Sequence, residues 1–249
     1  MARVKAIVLA AGRGVRMGGL RPKALLPLGD EEPMLHHLLA GLAETGVTDL
    51  VVVTGFDAPA IQSFVDERWT TGTTTYVFNA RYASWGNFHS LRVALDQVPG
   101  YDALVVNSDI VVAPDVFRRV LATPGDLVLA VQERPTRLLD QEDMRVEIGN
   151  GRIVQIGKDV KLARSHGEYA GVSLVRHAAA RAYLNVATEW EWRARTAGYY
   201  EDVYAAILGD IDARSARVEI GEYAEVDVPE DVDRAVAILQ SRKATKQTA

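Results

Sequence analysis

A chain of 249 residues, 48% of them hydrophobic, can bury a substantial core, and its length admits one large or two small domains. A net charge of −5 offers no positive field to nucleic acid, so an anionic substrate must be held by a local cluster of Arg, Lys and backbone N–H groups. The lack of any cysteine excludes disulfides, thiolate metal sites and Cys nucleophiles.

Ala6 to Ala10 reads as a buried parallel strand that leads into a glycine-rich loop through Gly19. The apolar run Val4 to Ala11 is too short to cross a membrane and lacks the charged flank of a signal peptide, so the expected setting is cytoplasmic, with no membrane partner. Leu35, Leu38, Leu39 and Leu42 mark a helix over Met34 to Thr45, closed by Gly46. A strand is expected at Asp49 to Thr54, a helix at Ala58 to Arg68 and a strand at Thr73 to Phe78. Asn87 to Gln97 reads as a helix, and Ala103 to Asn107 as a strand that ends in Asn107-Ser108-Asp109. This alternation predicts an α/β fold, a Rossmann-like, mainly parallel sheet with helices on both faces.

Beyond residue 126 the pattern turns β-rich. Leu127 to Gln132, Met144 to Ile148, Ile153 to Lys158 and Gly171 to Val175 read as strands, with Asn150-Gly151 as a hairpin turn. Helices follow at Ala178 to Asn185 and Glu201 to Leu208, then strands at Arg217 to Ile220 and Ala224 to Val226, and a closing helix from Pro229 to Gln240. The polar stretch Ser241 to Ala249 reads as a disordered tail. The expectation is one domain over 1–240, in which 1–125 bind a nucleotide and 126–240 bind an acceptor.

The loop Leu9-Ala10-Ala11-Gly12-Arg13-Gly14-Val15-Arg16-Met17 stands at the carboxyl end of the first strand, where open parallel sheets bind ligands. Small residues let consecutive N–H groups approach phosphate oxygens, and Arg13 and Arg16 add forked cationic donors. A Walker loop would need G-K-[ST], which Gly18-Gly19-Leu20 does not supply. A dinucleotide loop would need a third small residue where Met17 stands. A merely structural turn would not account for two arginines among the glycines. Together with Arg21-Pro22-Lys23-Ala24-Leu25, the loop resembles the L-A-A-G-x-G-x-R-(M/L)…P-K-x-L signature of sugar-phosphate nucleotidylyltransferases and their cytidylyltransferase relatives. The resemblance implies that Lys23 contacts the α-phosphate of a nucleoside triphosphate, with Arg13 and Arg16 on the β- and γ-phosphates.

Asn79 to Leu91 is similar to the N-x-x-Y-x-x-x-N-N-x-x-S-L segment of phosphocholine and phosphonate cytidylyltransferases, departing at Gly86, where an asparagine is common. Asn and Ser side chains suit a pyrimidine edge. By this resemblance Tyr82, Asn87 and Ser90, with Asn79, serve the base and ribose pocket, and CTP is favoured over UTP, GTP and dTTP. Asn87 also suits a helix cap, and the two roles are compatible. Gly151 to Lys158 and Gly167-Glu168-Tyr169-Ala170-Gly171 resemble a phosphonate-directed I-x-x-I-G-K…G-E-Y-x-G pattern, which implies Lys158, Glu168 and Tyr169 at the acceptor, although Lys158 also reads as an exposed hairpin residue. Glu201 and Asp202 join Trp190, Trp192, Tyr199 and Tyr200 in an aromatic, acidic cluster that could hold a quaternary ammonium, while the two tryptophans could simply pack a loop on the core. Arg134, Arg137, Arg193 and Arg195 leave a doubly anionic acceptor such as phosphonoformate open.

Asp109, at a central strand end, matches the family's metal carboxylate, and Asp227 in Val226-Asp227-Val228-Pro229-Glu230-Asp231 matches its late (I/V)-D-x-P-x-D. The resemblance thus implies Mg²⁺ as the cofactor and CTP as co-substrate. Asp102, Glu230 and Asp231 read as structural. The implied reaction is direct attack of a phosphonate or phosphate oxygen on the α-phosphorus with release of pyrophosphate, Lys23, Arg13 and Lys158 being the catalytic candidates. The expected partners are CTP, a small phosphonate or phosphate monoester and a second copy of the chain in a homodimer, with no nucleic acid. A sugar- or inositol-1-phosphate acceptor and a non-catalytic nucleotide-binding regulator remain the alternatives.

Overall fold

A computed structural model describes residues 3–14, 19–28, 31–134 and 142–247. Arg16 and Arg137 lie outside the described residues. The apolar strand β1 (Val4–Ala10) occupies the middle of a nine-stranded sheet, with the parallel strands β4 (Asp49–Thr54) and β6 (Asp102–Asn107) on either side. Strand β5 (Thr73–Phe78) extends the parallel part beyond β4. Two short strands, β2 (Pro27–Leu28) and β3 (Glu31–Pro33), form a separate ribbon.

Alternation along β1 sends side chains to both faces of the sheet. Ala6, Val8 and Ala10 join the core under α1 (Met34–Ala43), α2 (Ala58–Arg68) and α4 (Pro114–Ala122). Ile7 faces the opposite layer, built on α3 (Phe88–Leu95), α5 (His177–Trp192) and α6 (Tyr200–Ile207). Each fully buried Leu, Ile or Phe in these layers contributes about 1.5–3 kcal/mol of apolar transfer. The four leucines expected on α1 are all buried, and Gly46 takes the left-handed φ of +80° that ends its last turn.

The β-rich second half continues the same sheet. Strand β11 (Gly167–Val175) runs antiparallel to β6 through Val172–Val175 and to β9 (Arg145–Gly149) through Gly167 and Glu168. On its other side β11 pairs with β8 (Leu127–Glu133), which carries β12 (Ala213–Val218). Hairpin β9–β10, with β10 at Arg152–Gly157, turns on Asn150 and Gly151, both at positive φ. Strands β7 (Ile110–Val112) and β13 (Tyr223–Glu225) pair antiparallel beside the end of β6.

Several boundaries differ from the sequence expectation. Helix α5 runs on to Trp192 because Ala187 and Trp190 keep burying the same face beyond Asn185. Closing helix α7 (Val232–Gln247) follows a separate 3-10 turn at Pro229–Asp231 and continues past Gln240, so residues 241–247 of the expected tail are helical. Helix α4, absent from the elements read above, is held by Val116, Phe117 and Val120, with Pro114 in its first turn. No helix among the described residues is long and apolar enough to cross a membrane.

Candidate active site

The strand order reverses around β1, whose neighbours β6 and β4 arrive from opposite directions in the chain, and crevices at such switch points hold ligands. Leu9 lies opposite Asn107 in the β1–β6 register, which brings the loop after β1 level with Asn107-Ser108-Asp109. Ser108 Oγ donates to the Leu9 carbonyl at 2.8 Å and ties the two strand ends together.

A cavity of ≈ 330 Å³ opens there, lined by Leu9, Ala11, Gly12, Gly14, Lys23, Asn87, Ser90, Asn107, Asp109 and Asp227. Ala10 is buried behind it. Arg13, between the two lining glycines, donates through Nε to Gly19 O at 3.0 Å and lies over the Phe56 ring. Gly14 has φ +65°, and a Cβ there would stand 2.5 Å from Lys23 Cβ. Glycine therefore lets the loop turn against the lysine. Gly14→Ala is expected to lower nucleotide affinity about tenfold or more, with displacement of Lys23, as isothermal titration with a non-hydrolysable triphosphate would measure.

Lys23 Nζ donates to Asp109 Oδ2 at 3.0 Å and to Asp227 Oδ1. Burial alone would lower the lysine pKa, but the two carboxylates outweigh it and hold the ammonium above its usual value. Glu225 is the site residue the sequence reading passed over. Asp109, Glu225 and Asp227 each offer an oxygen within 4.8 Å of the others. Burial, then repulsion from Asp109 and Asp227, pushes Glu225 up to about 8. Three converging carboxylates, with an ammonium among them as stand-in cation, fit a hard divalent ion. The signal was present in the chain: Glu225 closes β13 only two residues before Asp227, a spacing that keeps two carboxylates close together at a strand end. Asp231 Oδ2 accepts from the backbone N–H groups of Asp227 and Val228, which fixes the turn that presents Asp227.

The segment after β5 sorts into lining and support. Asn87 and Ser90 line the cavity. Asn79 is buried at 1% exposure and spends its amide internally, donating to Ser90 Oγ at 2.9 Å and accepting from Arg81 N–H at 2.8 Å. Tyr82 lies outside the lining and packs against Gly55, where a Cβ would meet its ring at 2.6 Å. The departure at Gly86 has a steric cause, since a Cβ there would stand 2.0 Å from Gly198 O. Asn87 precedes α3 without capping it through its side chain.

A second cavity, of ≈ 200 Å³, adjoins the first and is lined by Glu142, Lys158, Tyr169, Tyr199, Glu201, Tyr223 and Glu225 among others. Asn87, Asn107, Asp109 and Asp227 line both cavities and form their common wall. Lys158 pairs with Glu142 at 2.7 Å and lies over the Tyr199 ring. Glu201 is 5% exposed, and among the described residues no donor reaches its Oε2. Burial pushes its carboxyl up to about 7. Two expected acceptor residues stand elsewhere. Glu168 is outside the lining, buried and paired with Arg134 at 3.0 Å, and burial raises it to about 7. Asp202 accepts the Tyr199 N–H at 2.7 Å and caps α6.

The aromatic cluster also divides. Trp190 is buried against Phe88, whereas Trp192 is 86% exposed and does not pack a loop on the core. Arg195 stacks on Trp190, and Arg193 pairs with Glu189 on the surface, so among the described residues neither these arginines nor Arg134 line the second cavity. Asp102 lies at the other end of β6, near Arg176 at 3.6 Å.

Comparison with known proteins agrees with this geometry. Residues 6–189 match the family model of the MobA-like NTP transferase domain. CMP-5'-(3-aminopropyl)phosphonate synthase of Streptomyces rubellomurinus is 31% identical over 93% of this chain and 38% of its own length. Choline-phosphate cytidylyltransferase of Streptococcus pneumoniae is 28% identical over 47% of this chain and 50% of its own. The bifunctional IPC transferase and DIPP synthase of Thermococcus kodakarensis is 32% identical over 63% of this chain and 34% of its own. The chain thus spans half or less of the length of these curated relatives. Among solved structures, the inositol-1-phosphate CTP transferase of T. maritima has the same fold, with a TM-score of 0.79 at 19% identity over 95% of this chain and 96% of that one. Loop, lysine, strand-end carboxylates and matched residues converge, and the chain belongs to the MobA-like NTP transferase family of nucleotidyltransferases.

Proposed function

We propose that this chain transfers CMP from CTP to a small phosphonate or phosphate monoester that carries an ammonium group, releasing pyrophosphate. The observation that carries this reading is the common wall of Asn87, Asn107, Asp109 and Asp227 between a nucleotide-sized cleft and a smaller one. An acceptor oxygen in the second cavity and an α-phosphorus in the first would meet at that wall. A dianionic acceptor is already a nucleophile, so the protein has to position reactants and neutralise charge rather than remove a proton.

Each residue then has a defined task. The loop from Ala11 to Gly14 offers backbone N–H groups to the triphosphate. Lys23 donates to the α-phosphate and follows the charge that builds on the leaving pyrophosphate. Asp109, Asp227 and Glu225 would hold Mg²⁺, which supplies Lewis-acid stabilisation of phosphate oxygens. Asn87 and Ser90 offer short polar groups to a pyrimidine, which favours CTP.

The acceptor cavity supports a cationic head group. Glu142, Glu201 and Glu225 line it with three tyrosines, against one lysine, and no arginine lines it among the described residues. Two relatives are named for aminopropylphosphonate and for choline phosphate, each combining a phosphorus group with a cationic nitrogen. Glu201 must be ionised to receive that nitrogen, and burial pushes its carboxyl up to about 7. The needed carboxylate is therefore lost as pH falls through 7. For an amine-bearing acceptor, kcat/KM is expected to rise about tenfold between pH 6 and 8 beyond any rise seen with an amine-free phosphonate. Glu201→Gln should remove that difference, and an unchanged difference in the variant would take Glu201 out of the acceptor site.

The test of the whole reading is pyrophosphate release with Mg²⁺, crossing CTP, UTP, GTP and dTTP with a panel of acceptors. The panel holds 2-aminoethylphosphonate, 3-aminopropylphosphonate, phosphocholine, hydroxyethylphosphonate, phosphonoformate, inositol-1-phosphate and glucose-1-phosphate. Release with CTP and an ammonium-bearing acceptor is the expected result. Release confined to a sugar or inositol phosphate would overturn the acceptor assignment, and silence with every pair would overturn the reaction.

A further inference from the structure

Two of the four groups on the common wall are carboxamides, and both are held from behind by Tyr200. This residue opens α6 and is fully buried, outside the lining of either cavity. Its backbone N–H donates to Asn87 Oδ1 at 2.9 Å. Its phenol donates to Asn107 Oδ1, also at 2.9 Å. The first bond fixes which end of Asn87 points where, because a backbone N–H can only donate and must take the amide oxygen.

The second bond needs the phenol proton. That single proton has two acceptors in reach, Asn107 Oδ1 at 2.9 Å and the Tyr169 hydroxyl at 3.2 Å. The nearer is Asn107, and Tyr169 has a proton of its own to donate back. Burial keeps the Tyr200 phenol protonated at every working pH. Gly171 completes the arrangement: a Cβ there would stand 3.1 Å from Asn107 Nδ2, which places the amide nitrogen beside a residue that lines the acceptor cavity.

We infer that Tyr200 is a positioning residue that holds both amides by their oxygens and turns the NH₂ group of Asn107 toward the junction of the two cavities, where it donates to the phosphoryl group in transfer. The inference rests on the proposed transfer reaction for its chemical meaning but not for its geometry. The two carboxylates of the wall would attract a metal and repel phosphate oxygens. The Asn107 amide supplies a neutral donor on the same wall, and a prefixed donor aimed at developing charge stabilises a transition state without reorganising. An amide turned the other way would present a carbonyl oxygen to phosphate, so the orientation decides whether Asn107 helps or hinders.

Tyr200→Phe removes the phenol and keeps the ring and the backbone N–H. The expected result is a fall in kcat of about 10- to 100-fold with KM for CTP and acceptor within about twofold, since the lost contact acts in the transition state. Asn107→Ala should cost about 100-fold or more in kcat. In the Asn107→Ala background, Tyr200→Phe should cost nothing further, because it acts through the amide that is gone. Additive losses in that double-mutant cycle, or a Tyr200→Phe enzyme of normal kcat, would overturn the inference. A second readout is independent of turnover. In protein labelled with ¹⁵N at asparagine, the Asn107 side-chain NH₂ signal should shift and its exchange with water quicken in Tyr200→Phe, while the Asn87 signal stays in place. An unmoved Asn107 signal would show that the phenol does not hold the amide, even if no substrate pair supported release and the proposed reaction itself had failed.

Discussion

Replacement of Lys23 by methionine is expected to lower kcat for pyrophosphate release by about 10³-fold, the largest single-residue loss in this site. Methionine keeps most of the volume of the lysine stem, so packing against Gly14 survives. What disappears is the ammonium that contacts Asp109 and Asp227 and would meet the α-phosphate. The variant also makes a second, separable prediction. With the Lys23 ammonium gone, mutual repulsion within the trio of Asp109, Glu225 and Asp227 grows, and thermal unfolding in magnesium-free buffer should move down by a few degrees. Millimolar Mg²⁺ should restore most of that shift while leaving turnover low. Normal turnover by Lys23→Met would remove the residue from the reaction.

Asp109→Asn should be nearly as damaging, for a different reason. The substitution preserves shape at the end of β6 but removes a charge from the carboxylate trio. Loss of the stabilisation that a bound metal gives to phosphate oxygens is worth several kcal/mol, or about 10³-fold in rate. Binding of Mn²⁺, followed by electron paramagnetic resonance, should weaken in parallel, whereas far-UV circular dichroism stays the same. An Asp109→Asn enzyme that bound Mn²⁺ and turned over as the wild type does would exclude Asp109 as a ligand.

The parts of this site legible in the sequence are those where chemistry and local backbone coincide. Gly12, Gly14 and Lys23 announce themselves because a phosphate loop needs small residues and a nearby cation within a short stretch. The helix Ala58–Arg68 and the strands on either side of it were bounded to the residue, because turn residues such as Asp57 and Gly72 flank them. Glu225 was missed because its role depends on β13 lying beside β7, a pairing between segments more than a hundred residues apart. Tyr200 was read only as a member of an aromatic cluster and Asn107 only as the end of a strand, because the hydrogen bond that joins them links residues 93 apart. Glu168 and Asp202 went the other way. Their motifs pointed at the acceptor, but three-dimensional neighbours claim one for Arg134 and the other for a helix cap. Helix α4 was overlooked because its apolar positions follow directly on β7 without an intervening turn signal other than Pro114.

The contact of Gly86 with Gly198 limits how such an enzyme can be rebuilt. Gly86 N–H donates to Thr196 O at 2.6 Å, and Phe88 N–H reaches Gly198 O. Gly198 in turn leaves no room for a Cβ beneath Trp190. The stretch that carries Asn87 and Ser90 is thereby seamed to the one that leads into Tyr199 and Glu201. On the proposed reading, base choice and acceptor choice then cannot be shuffled as independent modules. A chimera that takes residues 1–125 from one relative and the remainder from another inherits only half of the seam. Exchanging 79–91 together with 190–201 is the smallest graft that carries both of its sides.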